Sequence, residues 1–420
     1  MVQRTMPNRG QSPGLSPRLG PRPLPVHLGL ASTIWLSALG GLPLARAGAV
    51  PWDPTLRADG SVVGSALAAA DAGELSEALS SAVRARFAGF TRGVEAYWAH
   101  PYRRDAPTRE AVWQAGTTTL RDHRPANAPK AEVTALVVPS LVNRAYILDL
   151  APGRSLTDYL AARGVRSLVV DWDEPGEAER SFDLTDYVEQ RLAPALDAAC
   201  ALAGGPVPVV GYCMGGTLAV ALAQARPEQV SALALLATPW DFHADDPGCT
   251  QVLAALEPMF APVVVPGAVM PVDMLQVCFA VLQPTRVADK FRAFARLEPD
   301  GPDALAFVQV EDWLNDGVPL AGPAAAECLF GWYGENKPAR EEWRIGGRAV
   351  RPSDLALPTL TFIPARDRVV PPGSALALAQ AIPGAMSAHP RAGHIGMVAG
   401  RKAESECWRP LFEWLLARAK

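Results

Sequence analysis

Between Val209 and Val220 the chain reads VVGYCMGGTLAV: an apolar, β-branched run meets Gly211-Tyr212-Cys213-Met214-Gly215-Gly216 and passes straight into a helix-forming stretch. A strand that turns this sharply into a helix needs glycines where β-carbons would collide, and it pushes the side chain at its tip out of the sheet. In the common G-x-S-x-G form of this turn the projecting side chain is a nucleophilic serine. Here it is Cys213.

Such a turn belongs in a parallel sheet, and the flanking sequence alternates accordingly. VTALVVPS, from Val133, reads as a buried strand. PGRSLTDYLAARG opens on Pro and Ser and closes at Gly164, as a short helix does. RSLVVDW is a second strand. Leu184, Val188, Leu192 and Leu196 then form a helical stripe that Pro194 should bend. PVPVVGY, the helix after Cys213 and VSALALLATP continue the rhythm. It breaks from about 241 to 350 and resumes at LPTLTFIPARD, PPGSALALAQAIPG, a short strand near SAHPRAGH and a last helix carrying Trp408, Leu411, Phe412 and Leu415. The expected class is α/β: a mostly parallel sheet flanked by helices, interrupted by a cap. The expected segments are a leader over 1–50, a helical region over 51–130, a first core part over 131–240, the cap over 241–355 and a second core part over 356–420.

Lysine and arginine total 39 against 43 acidic residues, a net charge of -4, so no broad basic surface points to nucleic acid. The six cysteines show neither C-x-x-C pairs nor a framework spacing, which argues against a metal site and for a reducing, cytoplasmic setting. The first 50 residues differ in character. No Asp or Glu precedes Asp53, four arginines and six prolines fall in the first 25 positions, and LGLASTIWLSALGGLPLARAGA follows. A secretory signal has this shape. The reading preferred here is a Pro-rich leader and an apolar helix that docks on the body or on a lipid-like surface. Gly40, Gly41, Pro43 and Arg46 interrupt the run before the roughly 20 apolar residues a membrane span needs.

A nucleophile at the head of a helix has the next amide, that of Met214, aimed at the reacting carbonyl as half of an oxyanion hole. The same helix end favours ionisation of Cys213. The second amide is expected from the loop PSLVNR after the first strand, at Val142. The chain order nucleophile, acid, base directs the search for partners downstream. His394, between glycines just past a strand end, is the candidate base. His389 is assigned to the strand itself, His27, His100 and His123 precede the sheet, and His243 opens the cap. Asp367, ending the strand TLTFIPARD, is the candidate acid that orients the imidazole, with Asp241 and Asp245 as competitors after the fourth strand. Cap aromatics Trp240, Trp313, Phe330, Trp332 and Tyr333 either line a water-free channel or pack the cap's own core.

These motifs resemble those of polyhydroxyalkanoate synthases, acyltransferases of the α/β-hydrolase fold. GYCMGG is similar to their G-x-C-x-G-G box, and VPSLVNRAYILDLAPGRSLTDYLAARG to their oxyanion-loop segment. DWLNDGVPLAG, ARDRVVPP and GHIGMVAGRKA are similar to their cap, acid and histidine motifs. The resemblance covers about residues 90–418, and the chain departs from it at Arg366, where an acidic residue is usual. It implies that Cys213 carries the acyl chain as a thioester, that His394 is the general base, and that Asp367 orients His394 or activates the incoming 3-hydroxyl. It implies a hydroxyacyl-CoA thioester as substrate, a growing polyester as product, no cofactor and no metal. The acid and histidine motifs are closer to the short synthases that work with a second subunit, so a second subunit or a homodimer is an expected partner, while a place at a polymer granule or membrane surface rests on the apolar leader, which is not a feature of the family. A cysteine-dependent thioesterase or polyester hydrolase would use the same side chains, and a non-catalytic granule-coat protein would need only the apolar leader.

Overall fold

The computed structural model describes residues 18–244 and 257–418. They divide into two compact units: one runs through Tyr102 and takes in Pro284–Asn315, the other joins Arg103–Gln283 to the chain from Asp316 onward.

The second unit is built on one eight-stranded sheet. Numbering its strands alone, β1 is Glu110–Ala115, β2 Thr118–Asp122, β3 Val133–Val138, β4 Val165–Asp171, β5 Val207–Tyr212, β6 Val230–Leu236, β7 Thr359–Phe362 and β8 Met386–Ala388. Their order across the sheet is β1-β2-β4-β3-β5-β6-β7-β8. β1 and β2 form an antiparallel edge, and every pairing from β4 to β8 is parallel. Crossover helices cover both faces, so the inner strands are apolar along their length and β5 is buried at all six positions. The chain moves from β3 outward to β4 and then returns past β3 to β5. The gap between the C-terminal ends of β3 and β5 is therefore the switch point where open α/β sheets hold ligands.

Local sequence accounts for most of these elements. Ser155 caps the helix Leu156–Ala161 by accepting the Asp158 N–H. The Leu184 stripe is helical, with Val188–Leu192 widened into a π-type turn directly before Pro194, which has no N–H to give the regular ladder. The helix Met214–Ala225 is apolar almost all round and buried along nearly its whole length, as a helix enclosed by a core must be.

Two boundaries differ from expectation. The sheet starts at Glu110, inside the stretch read as helical over 51–130, because EAVWQAGTTTLRD is a hairpin. Ala115 pairs with Thr118 around a two-residue loop whose Gly116 has φ +57°, a conformation that favours glycine. Between β6 and β7 the insertion is not one cap either. Pro284–Asn315 groups with the N-terminal helices, since Ala288, Phe291, Phe294, Ala304 and Val308 share a core with Trp35, Val83, Phe90, Val94 and Tyr97. Trp313, read as a cap aromatic, belongs to this helical unit.

In the helical unit, Leu24–Arg46, Arg57–Ala69 and Ala72–Ala99 are helices. The first is unbroken across Gly40, Gly41 and Pro43. Pro43 lies within one turn of the end, where the chain has little regular helix left to disturb. By length and composition alone this helix is long enough to cross a membrane. On the protein it buries Ala31 and Trp35, the latter edge-on to Phe87.

The packing at the turn between β5 and its helix gives a direct test. A β-carbon at Gly211 would overlap the backbone of Gly216, whereas one at Gly205 meets nothing within 4 Å. Gly211→Ala should lose about 1–3 kcal/mol or more of stability, while Gly205→Ala stays within ~0.5 kcal/mol of wild type in denaturant melts. Equal behaviour of the two would refute the close-packing account.

Candidate active site

Cys213 sits at the C-terminal end of β5 with φ 55° and ψ -130°, a backbone state that side chains other than glycine's rarely adopt and that costs on the order of 1–3 kcal/mol. Two backbone bonds hold it there. The Cys213 N–H donates to the Leu236 carbonyl at 2.9 Å, and the Gly216 N–H donates to the Cys213 carbonyl at 2.8 Å. β-Carbons at Gly215 and Gly216 would collide with the Val138 carbonyl and the Thr238 side chain, so both glycines are required by close approach. The outcome is a half-buried thiol facing a cavity.

The strand ends of β7 and β8 supply the partners. Asp367 turns back on itself, its Oδ1 accepting the N–H groups of Val369 at 2.8 Å and Val370 at 2.9 Å. Its Oδ2 accepts the His394 Nδ1–H at 2.7 Å, and both side chains are buried. The Cys213 sulfur lies near enough to the same ring to favour its charged form. Tyr212 stacks on the imidazole at 5.1 Å and 28°, and its hydroxyl donates to the His394 carbonyl at 3.3 Å. Below the ring, the six-residue helix His394–Ala399 ends on the Arg154 guanidinium, whose Nε and Nη2 donate to the Ala399 carbonyl at 2.9 and 2.6 Å. Of these three candidates, Asp367 and His394 are joined by a direct hydrogen bond, and Cys213 acts on the ring through its charge.

The competing residues are engaged elsewhere. Asp241 accepts the Asn336 side-chain N–H at 2.8 Å and the His243 N–H at 2.9 Å, which ties the loop after β6 to the turn that follows Glu327–Gly334. Asp245, the other competitor, lies outside the described residues, as does Cys249. His243 pairs with the Tyr333 carbonyl at 2.7 Å. His123 lies against Asp149, the acid of YILDL, within a buried cluster where Arg109 and Ser155 also donate to that carboxylate. Burial pushes the Asp149 carboxyl up, but its hydrogen bonds from His123, Ser155 and Arg109 outweigh this and hold it well below the usual carboxylate range. His27 contacts the Arg22 carbonyl, and the His100 Nδ1 accepts the Tyr102 N–H. His389 is exposed just past β8, one residue beyond the strand to which it was assigned. Arg366 is likewise exposed and leaves the carboxylate to its neighbour.

Beside the thiol lies a cavity of about 110 Å³ lined by Ser140, Val142, Met214, Trp332 and Tyr333 among others, nearly all through apolar atoms. Met214 begins the helix, so its amide is one of the group without an intrahelical partner. The Val142 N–H points at the Ser140 hydroxyl at a long 3.4 Å. Its carbonyl accepts the Val318 N–H at 3.0 Å, and Asn143 bridges to Gly317. The DGVPLAG segment thereby fixes the loop after β3. Of the aromatics expected to line a channel, Trp332 and Tyr333 do so with Phe242 and Phe279. Trp240 instead packs against Trp343 at 6.3 Å, and Phe330 packs half-buried on the core. Tyr212 and Arg154 were not singled out from sequence. The only signals were Tyr212's place beside the cysteine and Arg154's place in the loop segment.

A profile for the alpha/beta hydrolase fold matches residues 148–400, and the chain belongs to that family. Within it, the chain is similar to curated poly(3-hydroxyalkanoate) polymerase subunits. It is 29% identical to that of Haloferax mediterranei over 318 residues, 74% of this chain and 64% of that protein. It is 29% identical to the Synechocystis subunit over 322 residues, 74% of this chain and 84% of that protein. The Allochromatium vinosum subunit is 28% identical over 324 residues, 74% of this chain and 88% of that protein.

Burial pushes the His394 imidazole down, but the nearby Cys213 sulfur and the Asp367 carboxylate, which accepts the Nδ1–H, outweigh it and hold the pKa at about 10. Because this lies above the ordinary 6.5, the ring's charge stabilises the fold fully below pH 6.5, and the contribution is lost as pH rises through about 10. The melting-temperature advantage of wild type over His394→Gln should be widest below pH 6.5 and close toward pH 10. A gap that does not change with pH would contradict the charged pairing.

Proposed function

We propose that this chain is an acyltransferase that polymerises (R)-3-hydroxyacyl-CoA thioesters into polyhydroxyalkanoate, releasing CoA through a Cys213 acyl-enzyme. The observation that carries the reading is a thiol at a strained turn, close to the Asp367-bound His394 ring and at the edge of an apolar cavity. Its likeness to polymerase subunits supports the substrate class.

In the first half-reaction the Cys213 sulfur, its proton held by His394, attacks the thioester carbonyl. The amides of Met214 and Val142 receive the developing oxyanion. The C–S bond to CoA breaks, and the CoA thiolate leaves with the proton from the imidazolium. In the second, neutral His394 takes the proton of an incoming 3-hydroxyl, whose oxygen attacks the Cys213 thioester. An ester forms and the sulfur is released. Asp367 keeps Nδ1 protonated and Nε2 turned to the reacting groups throughout. CoA thioester is the substrate and no cofactor takes part. An apolar cavity keeps water from the acyl-enzyme, so an alcohol rather than water completes the cycle. The reading includes a second subunit or a second copy as partner and a cytoplasmic place at the polymer surface, with the apolar helix Leu24–Arg46 as the contact element.

The test is incubation of purified protein with (R)-3-hydroxybutyryl-CoA while free thiol and turbidity are followed. Thiol release with insoluble product is expected, and Cys213→Ala should lower release by at least about 10³-fold with the fold retained. Thiol release with only soluble hydroxy acid would establish a hydrolase instead, and no release would leave a granule-associated scaffold.

A further inference from the structure

Tyr212 ends β5 directly before the nucleophile and meets the site through His394. It is 3% exposed, and its ring lies over the imidazole with 28° between the planes and 5.1 Å between the centroids. Its hydroxyl donates to the His394 carbonyl at 3.3 Å. Other aromatic neighbours in this unit meet edge-on. Trp172 and Phe182 stand at 89° and 83° to Tyr187, and Trp332 at 86° to Trp343. Burial pushes the Tyr212 phenol well above its ordinary range, so the ring carries no charge and presents the negative face of its quadrupole to the imidazole.

The charged groups around that imidazole come from several elements. Asp367, from the loop after β7, accepts the Nδ1–H, and the Cys213 sulfur stands near the ring from the turn after β5. Arg154, from the segment after β3, is engaged at the Ala399 carbonyl, the far end of the His394 helix. Arg366 and Arg391, beside the residues that lead into that helix, are exposed. Ala145–Leu148 and Glu404–Trp408 also pack on the helix. The first brings Tyr146, whose ring lies under the Arg104 guanidinium at 4.3 Å. The second brings Glu404, which faces Arg409, Glu406, which accepts the Arg391 N–H, and Cys407, whose thiol burial pushes up and keeps neutral. Among the described residues, Tyr212 is the one aromatic ring stacked on the imidazole.

An aromatic face attracts a cation within about 6 Å of its centroid, most strongly where water is excluded. A neutral imidazole gains nothing comparable from the same face. We propose that the Tyr212 ring face stabilises the cationic form of His394, which makes Tyr212 a positioning residue for the proton that His394 takes up and returns during acyl transfer. β5 then supplies the thiol and, one residue earlier, the support for the charge that His394 acquires. The effect on turnover rests on the acyl-transfer reading; the effect on the protonation of His394 does not.

Tyr212→Phe keeps the ring face and removes the hydroxyl, and Tyr212→Leu removes the face. Pentafluorophenylalanine placed at Tyr212 by amber suppression keeps the shape of the ring and withdraws the negative charge from its face. The His394 Cε1–H resonance, identified by its loss in His394→Gln, is followed with pH by NMR. In Tyr212→Phe it should titrate where it does in wild type, and in the leucine and fluorinated proteins about one pH unit lower. The high-pH limb of first-turnover thiol release from (R)-3-hydroxybutyryl-CoA should move down by the same interval, with the half-saturating concentration within about 2-fold of wild type. An unmoved titration in the fluorinated protein, or a shift in Tyr212→Phe as large as in Tyr212→Leu, would overturn the proposal. The fluorinated protein decides the question even where Tyr212→Leu unfolds. If wild type releases no thiol while the resonance shifts as expected, the acyl-transfer reading falls and the stabilisation of the cation by Tyr212 stands.

Discussion

The site depends on one strained residue. Cys213 is held with φ 55° between a fully buried strand and a buried helix, and that backbone state persists only because the surroundings leave no alternative. Gly211, Gly215 and Gly216 allow β5, the helix and the loop after β3 to close to distances at which any side chain would clash. Anchored to the Leu236 carbonyl of the neighbouring strand, the turn cannot relax without disturbing the sheet. The thiol's direction is therefore set by the core, and the histidine and aspartate loops need only reach it.

Much of this was legible in the sequence because it is local. The glycine-flanked cysteine, the buried runs on either side and the order of Asp367 and His394 each carry their own signal, and the structure pairs that Asp and His at 2.7 Å. The parts that were missed depend on partners far along the chain. The hairpin Glu110–Asp122 is short and lies at a sheet edge, where little apolar alternation is required, and Gly116 was its one clear mark. Nothing in Pro284–Asn315 shows that Phe291 packs on Phe90 and Tyr97, about two hundred positions earlier. Trp332 and Trp240 look alike in sequence, yet one lines the cavity and the other packs against Trp343.

The His394 ring is held from three directions by groups of different chemistry. Asp367 fixes Nδ1, Tyr212 covers the ring face and supports the backbone carbonyl, and Arg154 neutralises the far end of the short helix that His394 begins. A six-residue helix has little stability of its own, so its orientation comes from these external contacts. Arg154 comes from the segment after β3 that also contains Asp149, and the buried Arg109–Asp149 cluster stiffens that segment. The helix that carries His394 is in this way braced by the stretch that follows the Val142 loop.

Sulfur suits this arrangement for an energetic reason. Passing an acyl group from a CoA thioester to a cysteine exchanges one thioester for another, so the first step is close to neutral and the activation of the carbonyl is retained for the second. An oxygen nucleophile would lose that activation as it formed an ester. Retaining it is useful only if water is kept away, because a thioester exposed to solvent can be hydrolysed. In the proposed reaction that exclusion falls to the apolar lining beside Cys213, with loops fixed by the Val318–Val142 bond and the Asp241–Asn336 bond. A sulfur nucleophile and an apolar enclosure are thus two requirements of the proposed chemistry, and neither has a use without the other.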